Sequence, residues 1–276
     1  MRLVGVHVDG RRHVARRDGE DLVVLAPVED FWADPTASLT APGQGPRLPS
    51  AGTAIAHPVP DGARVLCLGL NYRAHAAEGS FRPPEHPLLF GRWTASLVVD
   101  GTPVTAPVDE VGLDWEGEVA AVVGRPLDRV DADTAREAVL GYAAFNDLTA
   151  RRAQKLTSQW TLGKNAEGSG PMGDLVTADE VGDLRDGLRL QTLVGDEVVQ
   201  DASTADMLFE VGDVLALVSR TMVLRPGDVL VTGTPEGVGY VRTPPRYLRP
   251  GDTVTVRIER VGSVSTPVVA PRPASG

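Results

Sequence analysis

Turn signals cut this chain into short apolar runs, and that division limits the folds open to it. Asp9-Gly10 and Asp18-Gly19 separate runs such as Val4-Gly5-Val6-His7-Val8 and Val23-Val24-Leu25. Asp-Gly between apolar runs marks a hairpin, because Gly tolerates the positive φ that the turn requires. Pro-Gly-Asp recurs at 226–228 and 250–252, at the head of the apolar segments 228–232 and 253–258. With Gly at 30 positions, Pro at 22 and aromatics at only 5%, many turns and short strands are favoured over a bundle of long helices. The expectation is a mainly β or α+β fold.

Residues 1–58 read as a small N-terminal β domain and its linker. Strands are expected to about residue 35, and 34–61 is rich in Pro, Gly, Ala and Ser. Residues 59–270 form the expected catalytic domain, and 271–276 a loose tail. Predicted strands of the larger part cover 64–70, 116–123, 142–145, 228–232 and 253–258, with a hairpin over 188–199 turning at Val194-Gly195-Asp196. Thr134-Ala135-Arg136-Glu137 matches a capping box that opens a helix to about Leu140. Further helices are predicted over 148–156 and from a cap at Ser203 or Thr204 to about Arg220.

Composition narrows the function. The formal net charge is -10 and no Lys/Arg cluster is flanked by aromatics, which speaks against nucleic-acid binding. No apolar stretch reaches the roughly 18 residues that span a bilayer, and the polar start does not resemble a signal peptide. A cytoplasmic protein without a membrane partner is expected. Cys67, the single cysteine, lies in an apolar run with no activating neighbour.

Several residues are candidates for chemistry. Glu116-Gly117-Glu118 opens the run Val119-Ala120-Ala121-Val122-Val123. Alternate side chains of a strand share a face, so Glu116 and Glu118 point the same way. Neighbouring carboxylates repel unless a proton or a cation lies between them. The pair is therefore either part of a metal site or two solvated glutamates on a polar face. Asp147, after the apolar 142–145 segment, is either a cap for the next helix or a third oxygen ligand. Three acids with open positions suit Mg2+, with Mn2+ or Ca2+ as alternatives, and the lack of a Cys/His cluster argues against zinc.

His75 and Glu78, three apart on a helical turn, share a face. A carboxylate beside an imidazole fixes its tautomer and raises its basicity, although an ordinary surface pair has the same spacing. Lys164 stands among apolar and small residues, either snorkelling or aimed at a developing negative charge. The Gly-rich stretch 232–239 ends a strand without the features of a P-loop or a dinucleotide fingerprint, and permits close approach of backbone to a small ligand.

In order along the chain, these stretches resemble the fumarylacetoacetate hydrolase family from about residue 64 to about 268. The matches are Gly-Leu-Asn-Tyr-Arg-Ala-His-Ala-Ala-Glu at 69–78, Glu116 with Glu118, Gly141-Tyr142 through Asn146-Asp147, and Ala150-Arg151 with Gln154. They continue with Gly163-Lys164, Pro171-Met172-Gly173, Pro226-Gly227-Asp228, the turn at 233–239 and Tyr-Leu-Arg-Pro-Gly-Asp at 247–252. Departures are Arg92 where many members carry lysine, Asn165-Ala166-Glu167 after Lys164, and Val264-Ser265-Thr266-Pro267 near the end.

The resemblance implies a mixed, rolled β-sheet catalytic domain, a small N-terminal domain and a homodimer. It implies that Glu116, Glu118 and Asp147 bind Mg2+ or Mn2+, that His75 and Glu78 activate water, and that Lys164 stabilises negative charge. Gln154 and Thr234 match positions near the substrate, Arg151 braces the ligand acids, and Arg92, by its charge, bears on substrate choice. The expected activity is cleavage of a carbon–carbon bond in a 2,4-dioxo acid such as an acylpyruvate. The alternatives are isomerisation, tautomerisation or decarboxylation of a 2-oxo or 2-hydroxy-diene diacid, and a non-catalytic small-molecule binder.

Overall fold

Gly117–Val123 is buried at every position, as only a central strand covered on both faces can be. Val119, Ala121 and Val123 pack into one apolar core, while Ala120 and Val122 pack into another on the opposite face. The strand is flanked antiparallel by Val139–Asn146 and by Val229–Val231. Val229–Val231 in turn pairs parallel with Val65–Gly69, so the sheet is mixed. The computed structural model describes residues 1–41, 45–79 and 82–271, without the Ala76 side chain.

These strands belong to one 11-stranded sheet. From one edge it runs through Arg47–Pro49, Asp21–Pro27, Arg11–Asp18, Arg2–Val8, Leu175–Thr177, Val139–Asn146, Gly117–Val123, Val229–Val231, Val65–Gly69 and Leu88–Arg92, with Ile55–Ala56 also paired to Arg2–Val8. A second, antiparallel sheet of four strands is ordered Glu197–Ser203, Arg189–Val194, Thr253–Ile258 and Gly262–Pro267. Its Leu190, Val256, Ile258 and Val264 close over the Val119–Ala121 face together with helix Val211–Ser219. Phe31 and Trp32, from helix Val28–Ala33, cover the other face.

The N-terminal strands continue the large sheet, with Arg2 and Leu3 opposite Val176 and Leu175. Both Asp-Gly turns adopt positive φ at Gly, 76° at Gly10 and 62° at Gly19. The segment expected to be linker is structured where described. Pro35–Thr40 is helical, with Asp34 accepting from the Ala37 N–H, and the strands 47–49 and 55–56 join the sheet. Asp at the cap and Pro at the first position are helix-starting signals that composition alone obscured. Residues 272–276 of the expected tail lie outside the described residues.

Three helix expectations need correction. Helix Ala132–Glu137 is capped by Asp131 rather than Thr134, and Val139 and Leu140 already belong to the next strand. Ser203 does form a capping box, but only for the 3-10 turn Thr204–Asp206; the longer helix starts anew after Glu210. The helix expected over 148–156 shrinks to Arg151–Gln154.

Leu230, fully buried and opposite Ala121, fills the core between the two sheets. Leu230→Ala is expected to lower unfolding free energy by about 3 kcal/mol, through lost burial and the cavity left behind. Urea titration reads it as a shifted midpoint at unchanged slope; an unshifted midpoint contradicts this packing.

Candidate active site

Strand register assembles the acids. Glu118 pairs with Phe145 and Gly117 with Asn146, so the next step sets Asp147 against Glu116, and the Asp147 N–H donates to the Glu116 carbonyl at 2.8 Å. Opposed residues of an antiparallel pair share a face. Carboxylate oxygens of Glu116, Glu118 and Asp147 accordingly lie within 4.8 Å of one another. Their exposures of 6%, 1% and 0% exclude solvated surface glutamates. Asp147 is no helix cap either, since Ala150 holds that place for Arg151–Gln154.

Buried cations offset part of this charge. Lys164 Nζ donates to Glu116 Oε2 at 2.6 Å and to Asp147 Oδ2 at 2.5 Å. Arg151 pairs with Glu116 Oε1 at 2.6 Å and with Asp114 Oδ2 at 2.8 Å. Arg92 Nε donates to the other Asp147 oxygen, and its remaining nitrogens reach Ser169 Oγ and the Leu148 carbonyl, both at 2.9 Å. Arg92, expected at the substrate, is instead fully buried, its donors taken by protein groups.

The balance leaves one acid uncompensated. Glu116 and Asp147 each meet two cations, whereas among the described residues Glu118 has a single partner, the Gly233 N–H at 2.6 Å. Burial would raise the Glu116 pKa, but Lys164 and Arg151 override it and hold the carboxyl down at about 2. Burial, then Asp147 and Glu116, push Glu118 well above the ordinary carboxylate range. Burial opposes the Lys164 charge, yet Asp147 and Glu116 raise its pKa above the usual lysine value.

The Gly-rich strand end holds acids through its backbone. Gly233 donates to Glu118, Gly237 to both oxygens of Glu78 at 3.0 and 3.1 Å, and Gly239 to Asp114 at 2.7 Å. At Gly233 the φ of +86°, together with the 2.8 Å that would separate an added Cβ from that of Asn71, excludes any other residue without strain. The expected close approach of this backbone is thus to the protein's own carboxylates. Helix Arg73–Glu78 carries His75, whose Nδ1 stands 3.4 Å from Glu78 Oε2, at the outer limit of a hydrogen bond.

A cleft of about 280 Å3 brings together His75, Glu116, Glu118, Lys164, Gln154 and Thr234. Asp147 and Arg92 are buried and are not among the residues that line it. Gln154 accepts from Arg151 Nη1 at 3.0 Å, and Thr234 Oγ1 donates to the Gly117 carbonyl at 3.0 Å. Phe90, Trp160, Lys155 and Tyr240 also line the cleft, and none had been singled out from the sequence. Tyr240 stacks on Arg151, ring centroid to Cζ 4.2 Å, a contact across 89 positions that no local pattern announces.

The model of the fumarylacetoacetate hydrolase C-terminal region matches residues 64–269. The chain belongs to the fumarylacetoacetate hydrolase family. Among its relatives in the family, the mitochondrial oxaloacetate tautomerase Fahd2a of Rattus norvegicus is 36% identical over 228 residues, 82% of this chain and 72% of that one. The solved 2-hydroxyhepta-2,4-diene-1,7-dioate isomerase of Mycobacterium marinum is 30% identical with a TM-score of 0.80, covering 99% of this chain and all of that one, 100%. Fumarylpyruvate hydrolase of Pseudomonas aeruginosa, solved with Mn2+ and pyruvate, is 29% identical with a TM-score of 0.70 over 80% of this chain and 93% of that one. Named relatives thus include a tautomerase, an isomerase and a hydrolase. Among the described residues, no helix is long and apolar enough to cross a membrane.

The three acids fit a divalent cation: the donors are all hard oxygens, and among the described residues no protein cation pairs with Glu118 to balance its ionised form. Binding requires ionised Glu118, so affinity for Mn2+ should weaken by up to about tenfold per unit as pH falls through its raised range. Without metal, a carboxyl held above its ordinary value contributes stability that is present at low pH and lost as pH rises. Glu118→Gln should therefore leave the metal-free protein as stable as wild type or more so at neutral pH. It should also abolish the stabilisation by Mn2+, about 2.7 kcal/mol at a hundredfold excess over Kd. Thermal denaturation with and without Mn2+ checks both; Mn2+ stabilisation surviving in Glu118→Gln contradicts the assignment.

Proposed function

We propose that this chain is a divalent-cation-dependent enzyme that moves a proton on a small 2-oxo dicarboxylic acid, interconverting keto and enol forms. The observation that carries the reading is one cleft lined by His75, Lys164, Glu116 and Glu118, with Asp147 completing the carboxylate cluster. The proposed ion is Mg2+, with Mn2+ or Ca2+ as alternatives; when bound, it supplies Lewis acidity toward the oxygens of a 2-oxo acid.

His75 removes the proton from the carbon beside the carbonyl and returns it. Glu78, anchored by the Gly237 N–H, faces Nδ1 and leaves Nε2 as the working nitrogen. Lys164 sets positive charge where the enolate oxygen becomes negative. Gln154 and Thr234 position the acid, while Arg151 and Arg92 brace Glu116 and Asp147. The names of the rat tautomerase and the mycobacterial isomerase support a proton transfer of this kind.

Hydrolysis of a 2,4-dioxo acid, the activity expected first from the sequence, is the second reading. The His75–Glu78 contact favours it, because the same pair can deprotonate water for attack on the distal carbonyl. The carbon–carbon bond would then break, and the carbanion would leave as an enolate. Resemblance to fumarylpyruvate hydrolase supports this alternative.

Oxaloacetate and an acylpyruvate, each assayed with Mg2+ and with chelator, separate the readings. Chelator-sensitive keto–enol conversion of oxaloacetate is expected; carbon–carbon cleavage alone would favour the second reading, pyruvate release from oxaloacetate would indicate decarboxylation, and no turnover of either acid contradicts both. His75→Ala is expected to lower kcat by about 10²–10⁴-fold with Mn2+ affinity within about twofold of wild type. Undiminished activity removes His75 from the role.

A further inference from the structure

We propose that Lys155 selects dicarboxylic substrates by receiving the carboxylate at the end remote from the 2-oxo group, an inference that rests on the function proposed above. The cations of the cleft differ in how they are used. Lys164 is bound to Glu116 and Asp147, and Arg151 to Asp114 and Glu116. Lys155 lines the same cleft, is exposed, and among the described residues has no carboxylate partner. A second carboxylate entering beside Glu116 and Glu118 is repelled unless it meets a cation that is not already neutralised. Lys155 meets that condition.

Its position is set by two contacts. Lys155 follows helix Arg151–Gln154, and its N–H donates to the Arg151 carbonyl at 3.2 Å, so the two side chains rise from one face a single turn apart. Its Nζ lies 4.6 Å from the Tyr240 ring centroid, and Arg151 Cζ lies 4.2 Å from the same centroid. Tyr240 is itself fixed, its N–H donating to Asp114 Oδ2 at 3.1 Å. The ring holds the ammonium near the buried acids yet outside their ion pairs, and the cation–π contact limits the side-chain freedom a ligand must otherwise freeze. A monocarboxylic 2-oxo acid would leave Lys155 unmet.

The test compares two acids of equal carbon count, 2-oxoglutarate and 2-oxovalerate, which differ by the distal carboxylate. Their binding to the Mg2+-loaded protein is read by calorimetry and does not depend on turnover. Wild type is expected to bind 2-oxoglutarate about fivefold more tightly, as suits an exposed ion pair, with the preference shrinking as salt rises. Lys155→Met should bring the two affinities together by weakening 2-oxoglutarate alone, and Lys155→Arg should restore the difference. A merely structural role would move both acids alike. Equal wild-type affinities, including no binding of either acid, or a preference retained in Lys155→Met, overturn the proposal. A normal preference with no keto–enol turnover of oxaloacetate would instead sink the proposed function and leave the selective role standing.

Discussion

Burying several carboxylates on one face of a central strand pair is the constraint on which this structure turns. Register does the gathering: pairing Phe145 with Glu118 obliges Asp147 to stand against Glu116. A one-residue slip would send Asp147 to the opposite face and dissolve the cluster. Ionised groups in an apolar interior are costly unless paired, and the fold answers with Lys164, Arg151 and Arg92. Those three cations face four buried acids, Asp114 included, and among the described residues Glu118 is the one left with only a backbone donor. The shortfall makes the site receptive to a further cation, and it sets the conflict between stability and function at Glu118.

The backbone completes what the cations begin. Three glycine N–H groups from one strand end each hold an acid: Glu118 in the carboxylate cluster, Glu78 beside His75, and Asp114 behind Arg151. Side chains positioned by fixed dipoles need little reorganisation when charge develops on a substrate. The two sheets and helix Val211–Ser219 supply the rigid packing behind them. The cleft wall that carries Lys155, Tyr240 and Trp160 is more exposed than the buried cluster.

Local patterns revealed the parts of the site that depend on local geometry. Strand alternation placed Glu116 and Glu118 together, and helical spacing placed Glu78 against His75. Asp147 was visible only as an acid after an apolar segment; its partnership with Glu116 needs a strand register that single-strand patterning does not encode. Arg92 illustrates the opposite failure. Its charge suggested a substrate contact, but burial converts it into a brace for Asp147. Lys155 and Tyr240 each directly follow a matched motif, but they stand 85 positions apart on separate segments, so no local periodicity could pair them. In the fold, the Asp-Gly hairpins and Pro-Gly-Asp strand starts were legible because turn chemistry is local. The helix boundaries were not, since at Thr134 and Ser203 more than one polar residue can cap and tertiary packing decides.

A divalent cation held by the three-carboxylate cluster would be located by anomalous diffraction from crystals grown with Mn2+. One strong peak is expected at about 2.1–2.2 Å from an oxygen of each of Glu116, Glu118 and Asp147. A map without a peak there, with Lys164 still bridging Glu116 and Asp147 in the presence of the ion, would contradict the assignment.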